Sequence, residues 1–228
     1  MVDTDLPISE GQAVRYPGFF TDAQGSEAIE FHNDGATLRV RIRGIWFAGP
    51  DFDELIPVPA TSPALLDRVT LNHDSLCACL FDFRMPVWLE VQGIARIAQM
   101  QCKVELGAPD ERGVLDGERV ILALEHSAGC ISSPGQSGWF EEELLELQRQ
   151  IPSSGVLKAC INCMYSDYNV YGNGAFGDMI CHRQAKEEYL RVRSKQDFMR
   201  LRGPTERVQE TYLCAQFVRR VPGTGYRG

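Results

Sequence analysis

The chain has 228 residues and a formal net charge of −8, from 23 Lys and Arg against 31 Asp and Glu, with 44% hydrophobic and 24% charged residues. That is ordinary globular usage, which excludes wholesale disorder and fibrous architectures, and the length fits one domain with an appendage or two small domains. No apolar run approaches the ~20 residues that span a bilayer, and the acidic start Met1-Val2-Asp3-Thr4-Asp5 has neither the basic nor the apolar part of a secretory signal, so a soluble cytoplasmic protein without membrane association is expected.

The first 130 residues are mostly strand. Residues 28–31 and 37–47 flank His32-Asn33-Asp34-Gly35, and Asp-Gly between strand-like runs signals a hairpin. The second of these runs alternates, with Leu38, Val40 and Ile42 on one face and Arg39, Arg41 and Arg43 on the other. Such a row of arginines is first the solvated face of an antiparallel sheet and only second a binding face. Asp51, Asp53 and Glu54 read as a solvated acidic turn, with calcium as the remote alternative. Pro57, Pro59 and Pro63 mark a loop or edge. Further strands are expected at 76–83, 87–91, 94–106 and 119–126, a spacing that predicts a sandwich or a curled antiparallel sheet.

A Ser/Gly/Pro loop at 131–138 leads into an amphipathic helix, where Phe140, Leu144, Leu147 and Ile151 form one apolar stripe. Glu141, Glu142 and Glu143 fill its first turn, where the helix dipole favours negative charge, and Pro152 ends it. Short helices are expected at 184–192 and 195–201, followed by a tail that is either frayed or docked. From Cys181 onward the chain carries 11 basic and 5 acidic residues; the part before it carries 12 and 26. Mutual docking of the two parts is the simpler explanation, and an acidic or nucleic-acid partner for the basic end the sharper one. The acidic excess of the larger part opposes bulk nucleic-acid binding.

Eight cysteines in a chain without a secretory signal are core thiols, metal ligands or a catalytic thiol before they are disulfides. Cys77, Cys79 and Cys102 sit in strand-like runs and read as buried hydrophobes. Cys160-Ile161-Asn162-Cys163 is a C-x2-C knuckle, whose thiolates can share one tetrahedral ion; Cys181 follows after 17 residues and Cys214 after another 32. The expectation is a structural, all-thiolate zinc site of Cys160, Cys163, Cys181 and Cys214. Cys214 is its weakest member, with His182 as the substitute and Cys130 behind it. Four thiolates close the zinc shell, which means structure rather than catalysis, and the intervening segment holds too few aliphatics to form a core alone.

Gly172-Asn173-Gly174-Ala175-Phe176-Gly177 matches G-x-G-x-x-G but lacks the preceding strand and following helix of a dinucleotide site. Its glycines read as letting a loop wrap the metal knuckle, and Tyr165, Tyr168, Tyr171 and Phe176 within and beside it either pack on the sheet or line a groove. Neither a catalytic nor a cofactor-binding residue set is assigned: HExxH, P-loop and G-x-S-x-G are missing, as is the H-x-E of zinc deaminases. A Cys130–His126 pair is conceivable, with a structural role for both the simpler reading.

The runs Cys160-Ile161-Asn162-Cys163, Ser166-Asp167-Tyr168, Phe176-Gly177, Cys181 and Val208-Gln209-Glu210-Thr211-Tyr212-Leu213-Cys214, with the ending at 222–228, resemble an uncharacterised bacterial family of unknown function, found chiefly in actinomycetes. Ser137-Gly138-Trp139-Phe140-Glu141 and Leu76-Cys77-Ala78-Cys79 are similar to it too. The family pattern has cysteines at the positions of Cys160, Cys163, Cys181 and Cys214; it departs at His182, where Phe is usual, and at Ala215, where Pro is. The resemblance implies no activity. The chain is therefore expected to be α+β, with an antiparallel β domain over 1–130, sandwich-like, and over 131–228 the amphipathic helix and a small α-helical zinc-binding subdomain. Its expected role is to bind another protein, as an adaptor or toxin-neutralising factor. The alternatives are an enzyme with a pocket between the sheet and the tyrosine loop, using Asp167 or a histidine as base, and nucleic-acid binding through the basic end.

Overall fold

The computed structural model describes residues 14–59, 61–126, 129–169 and 175–226. Strands β1 (Val14–Asp22) and β2 (Gly25–Asn33) pair along their whole length, Val14 opposite Asn33. The expected strand over 37–47 is two: β3 (Leu38–Ile42) and β4 (Ile45–Gly49) turn back on each other at Arg43 and Gly44. Both turn residues have positive φ, 49° and 86°, the twist that two-residue hairpins require. Arg43 is held there by an ion pair to Asp22 and stacks over Phe20, so only Arg39 and Arg41 stay on the exposed face.

After β5 (Ile56–Pro57), a one-turn helix α1 (Pro63–Leu66) and the small hairpin β6 (Leu71–Asn72) and β7 (Ser75–Leu76) fill the Pro-rich link. The left-handed Ala78, φ 50°, separates β7 from β8 (Cys79–Val91), which passes through Pro86 and pairs end to end with β9 (Ile94–Leu106). Then come β10 (Glu118–His126), β11 (Gly129–Ser132), the helix α2 (Phe140–Gln150) and β12 (Gly155–Leu157). Together they make one ten-stranded antiparallel sheet in the order β11-β10-β9-β8-β1-β2-β3-β4-β5, with β12 on β8, rather than two facing sheets. β1 interrupts the β8–β2 neighbourhood, and its pairing to β8 begins only at Gly18, after Pro17, which has no N–H for a second ladder.

One face of this sheet is buried. Phe31, Phe52 and Phe83 meet with ring centroids 5.1–5.4 Å apart, and Phe140 from α2 and Phe176 cap them. Each ring contributes about 1.5–3 kcal/mol through burial. Phe140, Leu144, Leu147 and Ile151 all lie in this core, as the helical stripe predicts.

Beyond residue 165 the chain is not simply helical. β13 (Ser166–Tyr168), β14 (Met179–Cys181) and β15 (Glu206–Val208) form a three-stranded antiparallel sheet. The two expected helices shrink to single turns, α3 (Lys186–Tyr189) and α4 (Lys195–Phe198). Their apolar residues, Tyr189, Val192 and Phe198, form a second, smaller core. The tail is docked: the Met164 N–H donates to the Val218 carbonyl (2.8 Å) and the Arg220 N–H to the Asn162 carbonyl (2.9 Å). Among the described residues no helix is long and apolar enough to cross a membrane.

Candidate metal centre

The C-x2-C segment folds as a 3-10 turn over Cys160–Asn162, closed by the Cys163 N–H donating to the Cys160 carbonyl (3.0 Å). Two strands of chain clamp this turn. The Cys160 and Ile161 N–H groups donate to the carbonyls of Tyr212 (2.7 Å) and Glu210 (3.0 Å), which draws up the segment that ends in Cys214. On the other side the Ser166 hydroxyl donates to the Cys160 and Cys163 carbonyls, and Ser166 lies opposite Cys181 in the small sheet. Four residues far apart in sequence thereby reach one neighbourhood.

The thiols act on one another. Burial raises Cys160 well above its ordinary value, and Cys181, Cys163 and Cys214 each push it further the same way. Cys181 is raised by burial and by Cys163 and Cys214, against the Arg183 N–H and guanidinium, which favour its thiolate. Cys160, Cys163 and Cys181 are buried and Cys214 half-buried; all eight cysteines are free thiols. Among the described residues no group of three or more His, Cys, Asp or Glu stands, as placed, in an arrangement that could hold a metal ion.

Strand pleating separates the two candidates for fourth ligand. Met179 and Cys181 face the main core, and Ile180 faces the second one, as alternation along a strand dictates. His182 follows Ile180: its ring lies parallel to Tyr189 at 4.3 Å and edge-on to Phe198 at 5.3 Å. Burial lowers its pKa to about 4, and its charged neighbours are Asp167, Glu188 and Arg220, not thiols. His182 is therefore not grouped with the cysteines, and Cys214 is. Cys130 is exposed on β11, and the side chain of His126 lies outside the described residues.

Asp167 is fully buried beneath the same second core. It accepts hydrogen bonds from the Tyr189 hydroxyl (2.7 Å) and the Tyr168 N–H (2.8 Å). Neither Asp167 nor His182 has exposed surface. Phe176 and Tyr168 pack on the main core and Lys186 lies over the Tyr165 ring; Tyr171 and Gly172-Asn173-Gly174 lie outside the described residues.

Several buried acids escape a reading of the sequence. Glu210 accepts from the Gly177 (2.7 Å) and Asp178 (3.0 Å) N–H groups, and burial carries its pKa to about 7. Glu143, expected as helix-end charge, turns inward. It accepts from the N–H groups of Gly135 (2.8 Å), Gln136 and Ser137 (both 3.0 Å) and from the Ser137 hydroxyl (2.7 Å). Asp51 is buried beside Asp53 rather than solvated.

The model of a family of unknown function, DUF6304, matches residues 14–166, more than half of the 228. The chain belongs to this family. The DUF6304 match spans the large sheet, α2 and the Cys160–Cys163 turn; Cys181 and Cys214 fall beyond it. No curated protein and no solved structure matches the chain.

Proposed function

We propose that this DUF6304 member is a cytoplasmic binding protein of adaptor or toxin-neutralising type whose C-terminal part is clasped by one structural zinc ion on Cys160, Cys163, Cys181 and Cys214. The observation that carries the reading is the meeting of these four cysteines from three separate chain segments. Four close thiols cannot ionise together without a cation, because each thiolate disfavours the next; a bound dication inverts that logic. Each sulfur is placed by one torsion, χ1, so side-chain rotation can bring it towards a shared ion. The cluster pins the small sheet and the docked tail to α2, a task that an ion performs by contributing folding free energy directly. Eight free thiols suit a reducing compartment.

The binding role is supported by the open face of the large sheet. Phe19, Trp46 and Ile97 are about half exposed there, with Trp46 directly opposite Arg41 on the paired strand, and aromatic and arginine side chains are enriched in protein interfaces. A groove of about 690 Å³ on that face is lined by Pro17, Phe19, Ala28, Arg84, Gln101 and Lys103. Catalysis through Asp167 or His182 would require the second core to open.

Elemental analysis of the reduced protein tests the clasp: one zinc per chain is expected, lost in Cys160→Ser and Cys214→Ser and kept in Cys130→Ser. A reduced, folded, metal-free chain overturns it. Affinity capture on the intact protein is expected to return a stoichiometric protein partner, weakened by Trp46→Ala; repeated empty captures overturn the binding role.

A further inference from the structure

A second concave surface lies beside the C-x2-C turn, with Asn162 in its lining. A cleft of about 590 Å³, a volume typical of small-ligand sites, opens between the C-terminal end of α2 and the docked tail, lined by Gln148, Arg149, Asn162, Arg219, Arg220 and Pro222. Its lining carries three guanidiniums and no carboxylate among the described residues.

The three arginines differ in what they have to offer. Arg219 is exposed and its side chain is unpaired among the described residues. The Arg149 side chain is 64% exposed and pairs with Glu146, one turn back on the same helix, an exchangeable surface contact. Arg220 is fixed: Nη1 donates to the Thr224 carbonyl (2.8 Å), and Nη2 to the Ser166 carbonyl and the Tyr189 hydroxyl (3.1 Å). Its Nε is buried and has no partner among the described residues. Gln148 and Asn162 shape the floor, since Asn162 Nδ2 donates to Gln148 Oε1 (3.0 Å) and to the Leu157 carbonyl (2.9 Å). The electrostatic character of the cleft is thus set by its arginines.

We propose that this cleft binds a multiply charged oxyanion, a phosphoryl or polycarboxylate group, on Arg149 and Arg219, with the fixed guanidinium of Arg220 adding positive charge to the wall. Planar guanidiniums suit such groups because they bond oxyanions in pairs. The net charge of −8 does not forbid it, because repulsion from distant carboxylates is screened beyond a Debye length of ~8 Å in physiological salt. The site stands on its own side chains and is independent of the protein partner proposed above.

Isothermal titration of the full chain with inorganic pyrophosphate and, separately, with citrate at constant ionic strength tests the inference. Saturable binding of at least one is expected, and which one binds tells phosphoryl from carboxylate. Arg149→Ala and Arg219→Ala, both at exposed side chains, are each expected to weaken it about tenfold, the scale of one charge-assisted hydrogen bond. Arg39→Ala, on the sheet's outer face, is expected to leave it unchanged. Absence of binding by both anions, or binding that survives the Arg149→Ala/Arg219→Ala double substitution undiminished, overturns the proposal.

Discussion

Asp51→Asn should stabilise the protein at neutral and alkaline pH. Asp51 sits in the loop between β4 and β5, where its carboxylate accepts the Phe52 N–H and a hydrogen bond from the Phe176 backbone. Burial first, and then the Asp53 carboxylate, push its pKa from 3.8 to about 9. Between those values the folded pair holds a proton that the unfolded chain has released. Stability is therefore fully present below about pH 4 and falls by about 1.4 kcal/mol per pH unit as pH rises towards the folded value. Five units at that slope would cancel much of the ~5–15 kcal/mol of an ordinary domain. Asp53 is only half-buried, so solvent reaches the pair and the realised effect is about 1–3 kcal/mol by pH 8. Asparagine keeps an acceptor for the two N–H groups and offers Asp53 an N–H in place of the shared proton. Urea unfolding from about pH 5 to pH 8 should show a midpoint that declines more steeply with pH in the wild type than in the variant, where Glu210 still loses its proton towards pH 7, the two converging near pH 4. In a chain this size the gap corresponds to about 2–4 °C in Tm per kcal/mol. A variant that is less stable at pH 8, or that keeps the wild-type slope, refutes the shared-proton reading.

Glu143→Gln should cost about 2–3 kcal/mol in urea unfolding, since a charged acceptor of four hydrogen bonds becomes neutral. Burial pushes Glu143 up, but its donors outweigh burial and hold its carboxyl below the ordinary value. The wild type should accordingly lose this contribution as pH falls through the carboxylate range, and Glu143→Gln should not. Gly18→Ala should destabilise by several kcal/mol or prevent folding, because its Cβ would lie 2.4 Å from the Asp82 carbonyl and 2.5 Å from Phe83 Cβ; circular dichroism melting checks this. A strong zinc chelator under reducing conditions should lower Tm in the wild type and leave Cys160→Ser, if it folds, unmoved.

Legibility in the sequence followed the length of the repeating pattern. β9 spans the expected 94–106 and α2 begins on Phe140, because nine alternating residues, 98–106, or three helical turns leave a period to read. β1 escaped notice because Pro17 and Gly18 interrupt it. Pairing on both sides nevertheless holds it, and the missing side chain at Gly18 is what lets β8 come close. The turn at Arg43 and Gly44 lacks the usual Asn or Asp at its first position, and what stabilises Arg43 there is an ion pair from another strand. Strands of three residues, as in the small sheet, are too short to show any period. Glu143 and Glu210 look like surface charge in the sequence. Only the loop N–H groups that surround them make them internal, and no short motif records those contacts.

For the cysteines, spacing and pleat supply different parts of the answer. C-x2-C fixes two thiols on one turn, whereas nothing local ties Cys214 to them across 50 residues. The tie is made by backbone hydrogen bonds from Cys160 and Ile161 to Tyr212 and Glu210, and such a ladder leaves no trace in residue type. In the sequence His182 reads as the substitute for Cys214 because it adjoins Cys181. In a pleated strand adjacency means opposite faces, and the strand that puts Cys181 with the thiols puts Ile180 and His182 into the core of Tyr189 and Phe198. β14 is thus the shared wall between a thiol cluster and an aromatic core, so loss of the proposed clasp should loosen both. Cys181→Ser is therefore expected to increase hydrogen exchange at Tyr189 and Val192 as well as at Cys160, whereas Cys77→Ser, buried outside the cluster, should leave all three protected. Protection retained at Tyr189 in Cys181→Ser would mean that the two cores stand independently.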